Sequence, residues 1–491
     1  MTDMLVNLAN PEKLFIGGDW ALSSGEGGID IVSPSTEQIV GRVARATTAD
    51  MDRAVAAARH AFDHGPWPQT SGPERAAVLR RIADEVLKRA DDFARAWSLQ
   101  IGIPYAQSSQ SAPYFAGYFT YYANLAEQGF EEVRPSMLGG HCIVVREPAG
   151  VVVAIAPWNA PLATMLLKVA PALAAGCTVI AKPSPESPLE ALILAECIAA
   201  AGVPEGVFSV LTADRDVSDY LVRKPEVDKV SFTGSTAAGL HIASVCGSRM
   251  ARVTTELGGK SAAIILDDAK VEAVVAGIMP NLVGLCGQQC AAFSRILVPA
   301  ARKAELPEAI AAAMQAVQVG DPFDQATQMG PLVTRAQHGR VFGYIDKGKA
   351  EGARLVTGGR RPANLDIGWF IEPTLFADAN NDMVIAREEI FGPVGTIIAY
   401  DSEEQAIAIA NDSIYGLSGG VFTDSPDRAY AMARRIRTGN FGHNGRVIDY
   451  TLPYGGFKQS GVGREGGIEG LHGLTEVKAI FMPELPSHLR A

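Results

Sequence analysis

The chain of 491 residues contains no C-x-x-C pair, no H-E-x-x-H, and no grouping of His and Cys at metal-ligand spacing. Those absences leave no structural or catalytic metal to expect. Cysteine itself is scarce, with six residues in all: Cys142, Cys177, Cys197, Cys246, Cys286 and Cys290. Six thiols over this length make no disulfide framework, and a reducing cytoplasm would keep them free. Positive charge is in deficit too, 43 Lys and Arg against 54 Asp and Glu, for a net charge of −11. Without clustered cations neither nucleic acid nor an anionic membrane surface is an expected partner. The acidic excess reads as a solvated surface that aids solubility. Long hydrophobic runs are missing as well, because Lys168, Pro171 and Pro280 interrupt the most apolar stretches before they could span a bilayer. Met1-Thr2-Asp3 brings an early acid and no apolar core, so no signal peptide is expected. A soluble, cytoplasmic protein follows.

Apolar residues make up 47% and charged residues 20% of the chain, ordinary for globular proteins, and the length predicts two or three domains. A helix is expected over 49–62, after Thr47-Thr48. Another starts at Pro73 and keeps one apolar face through Leu79, Ile82, Val86, Phe93 and Trp97 until Gly102-Ile103-Pro104. The rhythm then changes. Short β-branched runs at 151–155, 178–181, 207–211 and 230–232 alternate with helical segments at 162–175, at 187–202 and after Ser235. Ser187-Pro188-Leu189-Glu190 fits a capping box with Pro at the first helical position. Such alternation predicts parallel βαβ units and a doubly wound sheet. A second alternating region runs from 262–266 through a helix near 301–317 to 354–356 and 394–400. The soft boundary between the two falls near Leu257-Gly258-Gly259, and no repeat period or low-complexity linker is present.

Three motif-like strings fail on context. Gly461-Val462-Gly463-Arg464-Glu465-Gly466 fits G-x-G-x-x-G but follows Lys458-Gln459-Ser460 instead of an apolar strand. Gly259-Lys260-Ser261 resembles the end of a phosphate loop whose first glycine would have to be Thr254. Asn411-Asp412-Ser413 is a glycosylation sequon by pattern only.

Four segments put reactive groups at turns: Pro157-Trp158-Asn159-Ala160-Pro161, Glu256-Leu257-Gly258-Gly259-Lys260, Gly287-Gln288-Gln289-Cys290, and Glu389-Ile390-Phe391-Gly392-Pro393. Taken singly, each has an ordinary structural explanation: a buried thiol, a solvated acid, a turn-forming Asn beside proline. In order and spacing together they resemble the aldehyde dehydrogenase superfamily, from Phe15-Ile16-Gly17-Gly18-Asp19-Trp20 to about Lys478. Phe232-Thr233-Gly234-Ser235, Met329-Gly330-Pro331, Glu372-Pro373-Thr374, Tyr415-Gly416-Leu417 and 455–461 match as well.

The resemblance implies an α/β fold of two doubly wound domains plus a small oligomerisation extension. The cofactor domain would take 1–130 and 149–258, the catalytic domain 259–442, with 443–473 returning to the cofactor domain. Residues 131–148 and 474–491 would bridge subunits of a homodimer or homotetramer, with 142–146 alternating and 474–481 pairing nearby. It implies oxidation of an aldehyde to its acid with NAD(P). Cys290 would be the nucleophile, though a free thiol of pKa ~8.5 is mostly protonated at neutral pH. Asn159 and the Cys290 backbone N–H would form the oxyanion hole, and Glu256 would be the general base. Lys168 and Glu465 resemble a proton relay behind that base. For the cofactor, Gly234 and Ser235 open a helix suited to a pyrophosphate. Lys182 would contact the adenosine ribose with Ser184 beside it, Glu389 the nicotinamide ribose, and Phe391 and Trp158 would pack nearby. Ile155, Ala156, Pro157 and Leu257 complete the implied contacts.

The chain also departs from the family pattern. Where many relatives have an acid three residues after the lysine, this chain has Pro185, with the acid displaced to Glu186. NAD is still favoured over NADP, because no second basic residue stands beside Lys182. The segment 212–216 lacks glycines common in relatives. Ala160, Leu167 and Gly284 replace large rings, and Leu285 replaces an asparagine, which predicts a wider apolar pocket and a bulky hydrophobic aldehyde. The alternatives are a CoA-acylating member, disfavoured by the presence of Glu256, and a non-enzymatic member, disfavoured by Cys290 and Asn159. Esterase activity could accompany the main reaction.

Overall fold

The computed structural model describes residues 6–490. The leader reading at Met1-Thr2-Asp3, and the outermost ends of the 1–130 and 474–491 ranges, lie outside those residues.

Two large sheets carry the chain. In the first, five parallel strands stand in the spatial order Phe208–Val210, Thr178–Lys182, Val151–Ile155, Lys229–Thr233, Arg252–Glu256. The chain winds outward one way from Val151–Ile155, returns, and winds outward the other way. This reversal leaves a crevice outside the carboxyl ends of Val151–Ile155 and Lys229–Thr233, the place where doubly wound sheets bind ligands. The Val151–Ile155 and Thr178–Lys182 strands are buried at every position, as central strands covered on both faces must be. Antiparallel strands close both edges: Lys13–Ile16 with Asp19–Leu22 on one side and Gly461–Val462 on the other.

The second sheet has seven strands, in the order Arg354–Thr357, Thr374–Ala379, Val394–Tyr400, Arg295–Pro299, Ala262–Ile265, Ser418–Phe422, Asn440–His443. Only Arg354–Thr357 runs antiparallel to its neighbour. A third, three-stranded sheet pairs Glu131–Pro135 with His141–Pro148, and that strand with Thr475–Met482, from Thr475 opposite Pro148 to Met482 opposite His141. The α/β class and the pairing of 474–481 beside 131–148 therefore stand as expected. Among the described residues no helix is long and apolar enough to cross a membrane.

Two local expectations need correcting. The helix read from Pro73 to Gly102 is two helices, Gly72–Lys88 and Ala90–Ile101. They break at Arg89, whose backbone leaves the helical region at φ −101° and ψ 19°. The Arg89 guanidinium reaches Glu196 at 2.6 Å and Asp92 at 2.5 Å, partners that the apolar periodicity does not register. The capping box at Ser187 does not form either. The helix is Leu189–Ala200, Pro188 is its cap residue, and no side chain caps it. Gln100, from the preceding helical pair, supplies what the box would have. Its carbonyl accepts from the Leu189 N–H at 2.9 Å, and its amide donates to Glu190 at 2.5 Å.

Burial pushes the Glu190 carboxyl from an ordinary 4.5 up to about 8. A folded state that holds a proton more tightly than the unfolded chain loses stability as pH rises between those two values. Glu190→Gln should therefore lose less stability than the native chain between pH 4.5 and 8, read from thermal midpoints across that range. Parallel curves for the two proteins would contradict this account.

Candidate active site

The turn after Val151–Ile155 crosses the crevice and carries Asn159. The Asn159 carbonyl accepts from the Trp97 indole N–H at 3.0 Å, which fixes the turn from behind. Its side-chain amide donates to the Gln288 carbonyl at 2.7 Å, in the loop that leads to Cys290. An Asn amide has two N–H donors, so one remains for another acceptor. Gln288 is fully buried, and its own side chain is held by the Leu285 carbonyl and the Val333 N–H, both at 3.0 Å.

The loop around Cys290 packs backbone to backbone. A Cβ at Gly259 would stand 2.3 Å from the Cys290 carbonyl, and one at Gly287 would stand 2.3 Å from the Gly392 carbonyl. Glycine at these two positions is what lets the segments at 256–260, 284–290 and 389–393 meet. Leu285 and Cys286 take left-handed φ of 51° and 54° just ahead of the thiol. Cys290 is half-buried, and its Sγ lies 3.6 Å from the Tyr454 hydroxyl. Burial and the nearby Glu256 charge push the thiol up, while the Tyr454 hydrogen bond and the Arg446 charge pull it down. Arg446 is held by Asn281 at 2.9 Å and by Gln289 at 2.7 Å.

Glu256 ends its strand with a carboxyl that is buried, and its Oε1 has no hydrogen-bond partner. Burial first, then the charge of Glu465, hold that carboxyl well above the usual carboxylate range, and Lys168 works the other way. Lys168 and Glu465 are a buried ion pair at 2.6 Å. The ammonium also donates to Thr233 at 2.6 Å, and the Ser231 hydroxyl to Glu465 at 2.9 Å. Thr233 pairs in register with Glu256 on the adjacent strand, so the ion pair stands behind the acid.

Around the crevice stand the residues expected at a dinucleotide. Ile155, Ala156, Pro157 and Trp158 line the turn, and Trp158 meets Phe391 edge-on with ring centroids 5.2 Å apart. Gly234 and Ser235 precede the helix Thr236–Ser248, with the Ser235 hydroxyl accepting from Ala238. Leu257 is held by the Ser460 carbonyl at 2.9 Å. Burial lowers the Lys182 ammonium to about 8, against the opposing charges of Glu186 and Asp214. Ser184 donates to Glu186. Glu389 accepts from the Gly259 N–H at 3.1 Å, and burial pushes it up to about 7. A helix start, an ammonium, a carboxyl and an aromatic pair are the groups that a dinucleotide's phosphates, riboses and rings require, so these residues fit one. The G-x-G-x-x-G string has no such place, since Gly461–Val462 is an edge strand. Among the described residues no group of three or more His, Cys, Asp or Glu is placed to hold a metal ion.

A family model, the aldehyde dehydrogenase family, matches residues 20–480. The chain belongs to the aldehyde dehydrogenase family. It is similar to geranial dehydrogenase of Castellaniella defragrans, 46% identical over 473 residues, covering 96% of this chain and 98% of that one. Among solved structures it is similar to an aldehyde dehydrogenase of Mycobacterium tuberculosis complexed with NAD+, with TM-score 0.95, 45% identity, and 97% of this chain and 99% of the other covered. It is also similar to a mutant of aldehyde dehydrogenase C of Pseudomonas syringae complexed with NAD+ and octanal. There the TM-score is 0.94 and the identity 39%, with 98% of this chain and 99% of the other covered. The protein is thus an oxidoreductase acting on aldehydes.

Within this aldehyde dehydrogenase, sequence reasoning missed Tyr454, Arg446 and Ser231, and gave no role to Gln288 and Thr233, which lie in segments it had singled out. Tyr454 adjoins the matching Gly455-Gly456 segment and could have been weighed there, whereas nothing in the sequence singles out Arg446.

Lys168→Met would leave Glu465 buried and unpaired, at a cost of about 3–5 kcal/mol. The double variant Lys168→Met/Glu465→Leu should recover most of that loss in denaturant unfolding. Equal losses in the single and double variants would show that the pair is not an isolated electrostatic unit.

Proposed function

We propose that this aldehyde dehydrogenase oxidises a bulky, apolar aldehyde to its carboxylic acid with NAD, through a thioester on Cys290. The reading is carried by the 2.7 Å bond from Asn159 to Gln288, which plants an amide two residues from Cys290, in the same site as the buried carboxyl of Glu256. Residues 1–130 and 149–258 serve as the cofactor domain, 259–442 as the catalytic domain, and 443–473 returns to the first. The strands within 131–148 and 474–491 carry the contacts of a homodimer or homotetramer in the cytoplasm.

In this reading the Cys290 thiolate attacks the aldehyde carbon, and the carbonyl oxygen becomes an oxyanion. The remaining Asn159 N–H and the Cys290 backbone N–H hold that oxygen. NAD, when bound, supplies the hydride acceptor that turns the adduct into a thioester. Glu256 then takes a proton from water, the water oxygen attacks the thioester carbon, and Cys290 leaves as thiolate. One aldehyde, one NAD and one water give one acid, one reduced cofactor and one proton. Lys168 and Glu465 form the relay for the proton that Glu256 must discard before the next turn, with the Glu465 carboxylate as the acceptor and the Lys168 ammonium holding it in place. Lys182, Ser184, Gly234, Ser235, Glu389 and Phe391 bind and orient the dinucleotide. The charges of Glu186 and Asp214 facing Lys182 oppose an added 2′-phosphate, which favours NAD over NADP.

An apolar substrate is supported by Ala160, Leu167 and Gly284, small or aliphatic groups where many relatives carry large rings, and by Leu285 in place of an asparagine. The relative named for geranial and the octanal complex point the same way.

The test is a panel of short, branched, aromatic and terpenoid aldehydes, each with NAD and NADP. Turnover greatest on acetaldehyde and negligible on bulky aldehydes would overturn the substrate class. Cys290→Ser should abolish reduction of the cofactor, and activity that survives it would overturn the nucleophile. Product formation that needs CoA would make the protein an acylating enzyme instead.

Glu256→Gln should keep one stoichiometric burst of reduced cofactor while steady turnover falls by about 10²–10⁴-fold. Because the Glu256 carboxyl is raised, it gains its charge only as pH rises, so thioester hydrolysis should quicken with pH in the native enzyme and lose that dependence in Glu256→Gln. A full turnover rate in the variant would remove Glu256 from the mechanism.

A further inference from the structure

The thiol of Cys290 stands where burial and a neighbouring carboxylate both disfavour its ionised form. A hydrogen-bond donor on the sulfur would favour that form. The Tyr454 hydroxyl lies 3.6 Å from Cys290 Sγ, within range for a bond to sulfur, and against an ionised sulfur the hydroxyl is the group that donates. The phenol is not a mobile visitor. Its backbone N–H donates to the Glu465 carbonyl at 2.6 Å, and its carbonyl accepts from the Glu465 N–H at 2.8 Å. One bridge thus sets the phenol against Cys290 and the Glu465 carboxylate against Lys168.

We propose that Tyr454 is a catalytic residue whose hydroxyl donates a hydrogen bond to the Cys290 thiolate, stabilising it for attack on the aldehyde. The phenol keeps its proton throughout, and no bond is made or broken at Tyr454. Burial and the charges of Cys290 and Glu256 hold its own ionisation far above the physiological range, so it remains a donor at every working pH. The Arg446 charge acts in the same direction on the thiol, from its anchorage on Asn281 and Gln289. Other groups that face the thiol, Glu256 and Glu389, oppose it. A neutral donor on sulfur is therefore the local device that favours the thiolate without an added charge.

This inference rests on the reading of Cys290 as the nucleophile, but its first test does not. Alkylation of Cys290 by iodoacetamide, located by mass spectrometry and followed across pH, reports the ionisation of that thiol whether or not it acts in turnover. In Tyr454→Phe, which keeps the ring and deletes the hydroxyl, the profile should move to higher pH, and the neutral-pH rate should fall by about tenfold or more, as for a lost hydrogen bond to a charged group. The burst of reduced cofactor should slow by a similar factor, and hydrolysis of the thioester, from which Cys290 leaves as the same thiolate, by no more than that factor. Tyr454→Gln, which offers a neutral N–H in place of the hydroxyl, should recover part of the alkylation rate and serves also if the Phe variant folds poorly. An unchanged alkylation profile in Tyr454→Phe overturns the proposal. So does a variant in which only hydrolysis slows, because Tyr454 would then act through Glu465. Activity persisting in Cys290→Ser would instead strike at the nucleophile reading and leave the alkylation result standing by itself.

Discussion

The hydrogen bond from the Asn159 amide to the Gln288 carbonyl joins residues 129 positions apart in the chain, one on the crevice of the first sheet and one on the loop of the thiol. Much of the site's geometry follows from it. The loop bonds within itself, Gln288 to the Leu285 carbonyl and Gln289 to the Gly284 carbonyl, around two residues in left-handed conformation. Its place against the rest of the fold is set from outside: from Asn159, from the Val333 N–H on the Gln288 side chain, and from glycine contacts at 259 and 287 that admit no side chain. A buried amide and a buried carbonyl left unpaired would each carry a desolvation cost, so the bond is also the cheapest state of both groups. Fixing the turn and fixing the Cys290 loop are the same act.

The electrostatics follow from the same closeness. Glu256, Glu465 and Glu389 all act on one region, and Lys168 is the cation placed among them. The pair of Lys168 with Glu465 satisfies one acid and leaves Glu256 without a counter-ion, its Oε1 unpartnered. A carboxyl so placed is protonated more readily than an exposed one, which suits the role proposed for Glu256, taking a proton from water and giving it up. Had Lys168 paired with Glu256 directly, the acid would have been held ionised and made a weaker base. The ion pair behind the strand is thus arranged to influence Glu256 at one remove, through Thr233 in register with it.

What the sequence reveals of this arrangement depends on how local each signal is. Val151–Ile155 and Val394–Tyr400 are legible to the residue, because a run of β-branched side chains bounded by turn formers specifies its own ends. Gly176, at φ 92°, marks a helix stop that any reader of glycine would place. The motif segments that meet at the site are equally plain, since each is a short string. The break at Arg89 and the missing cap at Ser187 are not legible, because both are decided by partners about 90 or more residues away, Glu196 and Gln100. The same holds for Tyr454. It adjoins a matching segment, but its relevance lies in a sulfur 164 positions distant, a contact that the string itself does not show. Tertiary partners override local preference where polar groups are buried, and those are the positions that matter most for chemistry.

The site must reconcile two demands. Hydride transfer and a long-lived thioester call for a dry enclosure, and a dry enclosure disfavours a charged sulfur. A cation set directly on Cys290 would ionise the thiol, but it would sit within reach of Glu256 as well. The carboxylate would compete for it, and the base would be pinned in its charged, paired form. A neutral donor has no such side effect. The phenol of Tyr454 and the amide of Asn159 can stabilise negative charge on sulfur or oxygen while leaving the Glu256 carboxyl free to titrate. Arg446, the nearby cation, is tied to Asn281 and Gln289, and its charge reaches the thiol without a bond to it. On the roles proposed for Cys290 and Glu256, neutral hydrogen bonds at the reacting atoms, with full charges held one layer back, let one pocket hold an ionised nucleophile beside a base that must remain free.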